Sequence, residues 1–171
     1  MNSDERRSSI RKELEDKGKP IKGSVLAKEF GVTRQIIVKD IAILRAEGLD
    51  IFATPKGYII NKSNINKVQK VIAVSHKREE IQDELNSIVK FGGTVQDVII
   101  EHTLYGEIRG VLMIKTPYDV QNFMEKLNKH SAEPLSILTG GVHLHTISAN
   151  SEDDLNKIIS ELNEKGYIIS D

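Results

Sequence analysis

The hydrophobic period of this chain changes near residue 50, and that change divides it into two folding problems. Before it, apolar residues recur at helical spacing. Ile10 and Leu14, set among charged neighbours, predict an amphipathic helix over 4–17, stopped by Gly18 and Pro20. Val25, Leu26 and Phe30 place a second, short helix before Gly31. Thr33 is an N-cap candidate for a third, which carries Ile36, Ile37, Asp40, Ile41, Leu44 and Arg45 before Gly48 closes it. Two helices joined by Gly31-Val32-Thr33, the second longer and basic, form a helix-turn-helix pattern. The period then shortens to that of a strand. Residues 51–54 and 57–60 flank Pro55-Lys56 and read as a hairpin, so the order is that of a winged helix with the hairpin as its wing. Leu26, Phe30, Ile37, Ile41 and Leu44 are assigned to its core.

Beyond a polar connection at 61–66, strands and helices alternate. Residues 68–75 read as a buried strand and 77–89 as an amphipathic helix ending at Gly92-Gly93. Two strands, 95–101 and 108–114, surround a turn at Gly106 and should pair antiparallel. Thr116, Pro117 and Asp119 supply the N-cap, N1 and N3 of a helix that ends near His130. A strand over 142–148, a helix from the Ser151 cap to Lys165, and a short edge strand at 167–169 complete the order. This split βαβ pattern predicts an α+β chain: an N-terminal winged helix-turn-helix over 1–62, then an α/β sandwich over 63–171 with a mixed sheet and helices largely on one face.

Composition narrows the chemistry. The 171 residues suffice for one ordinary domain or two small ones, and no run approaches the ~18 apolar residues of a membrane span. With no cysteine, disulfides, thiolate metal sites and cysteine nucleophiles are excluded, and a reducing cytoplasm is the expected home. The net charge of −1 is unevenly spread: residues 1–62 hold 13 Lys+Arg against 9 Asp+Glu, and 63–171 hold 11 against 16. Nucleic acid is therefore expected to meet the N-terminal part.

A recognition helix presents its N-terminal residues to base edges, which singles out Thr33, Arg34, Gln35 and Lys39. Arg34 suits guanine, Gln35 suits adenine, and Lys39 suits phosphate. Lys56, at the wing tip, is placed to reach a phosphate or the minor groove. In the second region, His143 and His145 stand one residue apart in Thr139-Gly140-Gly141-Val142-His143-Leu144-His145-Thr146. On a strand, side chains at i and i+2 share a face, so two imidazoles lie side by side, a geometry that suits a metal. His76 closes the first strand of that region, which the split arrangement can place beside the His143 strand. The following helix carries Glu80 and Glu84, and spacing leaves open which of the two joins the imidazoles. Such a nitrogen and oxygen set favours nickel, zinc or iron over calcium or magnesium. His130 sits at a helix C-terminus, where the helix dipole accounts for it. His102 ends a strand before Thr103-Leu104-Tyr105-Gly106, so it is placed to hydrogen-bond a small ligand on which Tyr105 stacks.

The stretch from His76 through His102-Thr103-Leu104-Tyr105-Gly106 to Ser136-Ile137-Leu138-Thr139-Gly140-Gly141-Val142-His143-Leu144-His145 resembles the 3H domain, a small-molecule-binding domain named for its histidines. With the winged helix before it, nearly the whole chain resembles the niacin-responsive transcriptional repressors. The resemblance implies a divalent metal, nickel or zinc, held by His76, Glu84, His143 and His145, with nicotinic acid bound nearby as corepressor. It also implies a homodimer on operator DNA, repression of niacin uptake and NAD salvage genes, and no enzymatic activity. Two alternatives from other classes are a regulator for which the metal is itself the signal, and a metal-dependent hydrolase fused to a DNA-binding domain.

Overall fold

The computed structural model describes residues 2–60 and 67–169, and the connection expected at 61–66 lies outside the described residues. The chain divides into two compact units, Met1–Ser63 and Asn64–Asp171. The first begins with α1 (Ser3–Lys17), opened by a reciprocal cap in which Asn2 and Glu5 satisfy each other's backbone amides at 2.8 and 2.9 Å. Next come α2 (Gly23–Glu29) and α3 (Arg34–Ala46), the latter capped by Thr33. The hairpin of β1 (Ile51–Thr54) and β2 (Gly57–Ile60) follows. Ile10, Leu14, Leu26, Ile37, Ile41, Leu44 and Ile51 form the core of this unit. Val25 does not join them and is 47% exposed, because the inner face of the short α2 is taken by Gly23, Leu26 and Ala27. Phe30 packs against the cluster from its edge.

Two polar ties fix this unit. Asp40, 2% exposed on α3, accepts two hydrogen bonds from the Arg6 guanidinium at 2.7 and 3.2 Å, which locks α1 across α3. The wing is held by a backbone bridge, with Ile21 and Tyr58 exchanging N–H···O bonds of 2.9 and 2.8 Å. That close approach needs glycine at 57: its φ is +129°, and a Cβ there would stand 2.3 Å from the Ile21 carbonyl oxygen.

The second unit contains β3 (Val68–Ser75), α4 (Ile81–Val89), β4 (Thr94–His102), β5 (Gly106–Ile114), α5 (Pro117–Lys129), β6 (Val142–Ala149) and α6 (Glu152–Glu164). The strands lie in the order β3-β6-β4-β5, and all three pairings are antiparallel. The α+β class holds, while the mixed sheet expected from the split βαβ order resolves into antiparallel neighbours: the two crossovers insert β6 between β3 and β4. The helix expected over 77–89 starts instead as a 3-10 turn, Arg78–Glu80, and the edge strand expected at 167–169 shortens to a bridge between Ile168 and Val74. A second 3-10 segment, Leu135–Thr139, has no counterpart in the sequence reading because it lacks a periodic apolar face.

The core of this unit lies between the sheet and α4, α5 and α6, where Ile88, Ile147, Ile158 and Leu162 are fully buried. Each such side chain contributes about 1.5–3 kcal/mol. On β6, residues 143, 145, 147 and 149 alternate toward this face and all are buried. The paired histidines therefore continue, in polar form, the row that Ile147 and Ala149 run into the hydrophobic core.

Gly57→Ala is expected to destabilise the first unit by about 2 kcal/mol or more, through strain at positive φ and the clash with residue 21. Amide hydrogen exchange should show faster opening across α1–α3 and the wing, and unchanged protection in β3–β6.

Candidate metal centre

Three elements converge at one end of the buried face of the sheet. β6 supplies His143 and His145, the segment leaving β3 supplies His76, and the first turn of α4 supplies Glu84. The antiparallel register sets Val74 opposite His143 and Ile72 opposite His145, so β3 delivers His76 beside the His143 ring. The side chains of His76, Glu84, His143 and His145 are only 1, 1, 3 and 4% exposed. Glu80, the alternative carboxylate, turns away and accepts a hydrogen bond from the Lys77 amide at 2.8 Å.

The backbone decides what these imidazoles can do. His76 Nδ1 lies 2.9 Å from the Lys77 carbonyl oxygen, His143 Nδ1 2.8 Å from that of Gly141, and His145 Nδ1 2.5 Å from that of Asp97. A carbonyl only accepts, so each Nδ1 is the donor and carries the hydrogen. In the neutral rings, the three Nε2 lone pairs then face inward. His76 Nε2 is 2.7 Å from Glu84 Oε2, His143 Nε2 is 3.9 Å from the same oxygen, and His145 Nε2 is 3.3 Å from Glu84 Oε1. The Nε2 atoms of His143 and His145 stand 3.2 Å apart. Glu84 Oε1 is buried with no hydrogen-bond partner, since His145 reaches it at ion-pair distance without hydrogen-bond geometry.

Four electron-pair donors thus face one another, and they call for a proton, a hydrogen-bond donor or a metal ion between them. Among the described residues, ligand atoms of His76, Glu84 and His143 all lie within 4.8 Å of one another, and His145 borders them. Ligand atoms around a tetrahedral zinc stand about 3.4 Å apart. The donor set, the orphaned carboxylate oxygen and the backbone acceptor behind each ring all fit a divalent transition metal.

Local backbone features create these acceptors. Gly141 has φ +100°, and a Cβ there would meet the His76 carbonyl oxygen at 2.9 Å, so glycine is what lets β6 begin beneath His76. The pairing of β4 with β6 slips by one residue between Val95 and Ile99. This bulge lets the Asp97 carbonyl turn to His145 Nδ1, while Asp97 Oδ1 accepts the Thr146 amide at 2.8 Å and Oδ2 accepts from Arg109 at 2.9 Å. Asp97 is absent from the sequence reading; its one signal there is a charge in the middle of a strand whose Val95, Val98, Ile99 and Ile100 are apolar. Tyr167 was missed as well. Its ring packs edge-on to His76 at 5.5 Å and its hydroxyl donates to Asp83, burial and that bond pushing its pKa up to about 12.

The charges are strongly biased. Burial opposes ionisation of Glu84, yet the charge on His145 and the close approach of the three imidazoles outweigh it and hold the carboxyl well below its ordinary range. Burial likewise opposes protonation of His145 and His76, and Glu84 overrides it, so both are raised.

The remaining candidates lie elsewhere. His102 sits at the β4–β5 turn, where Nδ1 accepts from the amides of Leu104 at 3.1 Å and Tyr105 at 3.3 Å. Tyr105 is 71% exposed with its ring 5.2 Å from that of His102, and neither residue belongs to the cluster. His130 is exposed at the C-cap of α5. Thr33 caps α3, Arg34, Gln35 and Lys39 are exposed on it, and Lys56 sits in the wing turn.

Comparison with known proteins places these features in company. Residues 69–171 match the 3H domain family and residues 6–59 match an HTH domain family. The chain is 44% identical over 167 residues, 98% of its own length and 95% of the other's, to the "Probable transcription repressor NiaR" of Thermotoga maritima. It is 38% identical over 169 residues, 97% and 94% of the two lengths, to the "Transcription repressor NadR" of Bacillus subtilis. An uncharacterized protein of Methanothermus fervidus is 33% identical over 112 residues, 60% of this chain and 17% of that protein. These two relatives are named as transcription repressors, the first as a probable one, and the non-enzymatic reading rests on that likeness. Among the described residues no helix is long and apolar enough to cross a membrane.

The opposed shifts give the metal-free chain a defined pH response. Glu84, lowered, stabilises the fold above its ordinary pKa and stops doing so as pH falls through the lowered one. His76 and His145, raised, stabilise below about 6.5 and stop doing so as pH rises through their raised values. Under chelator, the melting temperature of the second unit is expected to fall by a few degrees between about pH 6 and pH 9, and the Glu84→Gln chain should not show that fall. A melting temperature that is level or climbs across the same range would contradict the assigned charges.

Proposed function

The chain belongs to the family of helix-turn-helix repressors with a 3H domain, and from that premise we propose that it is a DNA-binding transcriptional repressor with nicotinic acid as corepressor. In this reading, it acts in the cytoplasm as a homodimer on operator DNA and controls niacin uptake and NAD salvage genes. A divalent metal, nickel or zinc, is held by His76, Glu84, His143 and His145. The observation that carries the metal assignment is the commitment of all three Nδ1 atoms to backbone carbonyls, which aims three Nε2 lone pairs and one carboxylate at a common point.

When bound, the ion supplies an electrophilic position suited to the carboxylate or ring nitrogen of nicotinic acid. The chain's own residues do the rest. The three carbonyls hold the ring tautomers, Glu84 offsets the charge of the ion, and His102 and Tyr105 are assigned a hydrogen bond and a ring contact to the ligand. Thr33, Arg34, Gln35 and Lys39 on α3 and Lys56 on the wing are assigned to DNA. A ligand that favours the dimer geometry fitting two half-sites must in turn be bound more tightly in the presence of DNA.

Elemental analysis of the purified chain should find about one divalent ion per protomer, with most of it lost in His143→Ala and in Glu84→Gln. Nicotinate should raise operator affinity by about 5- to 150-fold in a gel shift. Affinity indifferent to saturating nicotinate would overturn the corepressor assignment, and affinity that follows metal alone would make the ion itself the signal.

A further inference from the structure

The N-terminal unit carries a concave cationic surface that lies beside the outward face of its recognition helix. Between the start of α2, the first turn of α3 and the wing is a cleft of about 250 Å³, lined among others by Lys22, Ser24, Arg34, Thr54, Lys56 and Tyr58. Three of its residues are cationic and none is acidic. Lys22 and Arg34 have no ion-pair or hydrogen-bond partner among the described residues for their side chains, although 29% of the chain is charged. Cations gathered around a cavity repel one another, and an anion in that cavity relieves the repulsion.

The cleft is built rather than incidental. The Ile21–Tyr58 backbone bridge draws the wing against the residue that precedes Lys22. At the wing tip, Thr54 Oγ1 accepts the Lys56 amide at 3.1 Å and donates to the Gly57 carbonyl at 2.9 Å, which fixes the turn that carries Lys56. Gly23 forms part of the floor: a Cβ there would lie 3.1 Å from Cε2 of Tyr58 and 3.8 Å from Nε of Arg34. The Arg34 side chain therefore folds back over the start of α2, toward the wing.

We propose that this cleft seats one backbone phosphate of the DNA duplex, with Lys22, Arg34 and Lys56 as its cations. The inference rests on the DNA-binding reading above and changes one part of it. Arg34 becomes a phosphate clamp, not a reader of guanine, and base contacts pass to Gln35 and the next turn of α3. A phosphodiester suits the site because the same helix turn that enters the major groove runs beside the phosphates that border it.

The test compares wild type, Lys22→Gln and Arg34→Gln on two duplexes, one selected from a random pool by the wild-type protein and one scrambled. Each variant should weaken binding by about tenfold on both duplexes alike, and lower the salt slope by about one. On the selected duplex, one neutral methylphosphonate at the contacted position should cost a similar factor, and Arg34→Gln should then add little. Unchanged affinity in both variants, or a loss confined to the selected duplex, would overturn the phosphate seat while leaving DNA binding intact. Failure of the wild-type chain to bind any duplex would overturn both readings.

Discussion

A carboxylate at 1% exposure, on the inner face of a helix packed over a hydrophobic sheet, is the constraint around which the second unit is arranged. Glu84 shares α4 with Leu85, Ile88 and Val89, and burying an unpaired carboxylate among them would cost more than any single apolar contact returns. The structure answers by surrounding it with imidazoles. Each imidazole needs a backbone acceptor behind it, and each acceptor has its own local origin: the turn after β3, the positive-φ glycine that opens β6, and the bulge in β4. The strand order β3-β6-β4-β5 follows the same logic, because a central β6 takes the Asp97 carbonyl from β4 on one side and lies beside the His76 that β3 delivers on the other.

Asp40 in the first unit and Glu84 in the second are both buried carboxylates, and they are held differently. Asp40 is held by arginine, whose guanidinium keeps its proton at any physiological pH, so the tie between α1 and α3 is permanent. Glu84 is held by imidazoles, a type of side chain that gives up its charge near neutrality and, once neutral, is able to take a metal ion. A fixed counter-ion suits a helix that must keep one orientation. An exchangeable one suits a place where something arrives and leaves.

Much of this was legible in the sequence where period and caps speak locally. The helix-turn-helix, the wing, and the caps at Thr116 and Ser151 follow from apolar spacing and side chains that reach their own backbone. His143 and His145 were readable as neighbours because strand alternation puts i and i+2 together. What escaped depends on contacts distant in sequence. Glu80 and Glu84 lie one turn apart, and only the 3-10 start of the helix, which turns Glu80 into a cap for Lys77, sends Glu84 inward. The antiparallel order depends on where the crossovers insert β6, which no local pattern records. Asp97 matters through its carbonyl as well as its side chain, and a carbonyl has no letter in the sequence.

Asp97 is also where the two faces of the sheet meet in one residue. Its carbonyl holds a histidine on the helix side, while its carboxylate takes the Thr146 amide and a half-exposed arginine. It acts as a rivet through the sheet: the tilt of the His145 ring, the spacing of β6 from β4 and the position of Arg109 are set by the same few atoms. A rotation of that imidazole by some tens of degrees therefore cannot stay on its own side. The fold has made the thickness of a β-sheet, ordinarily an insulator, locally transparent to small movements.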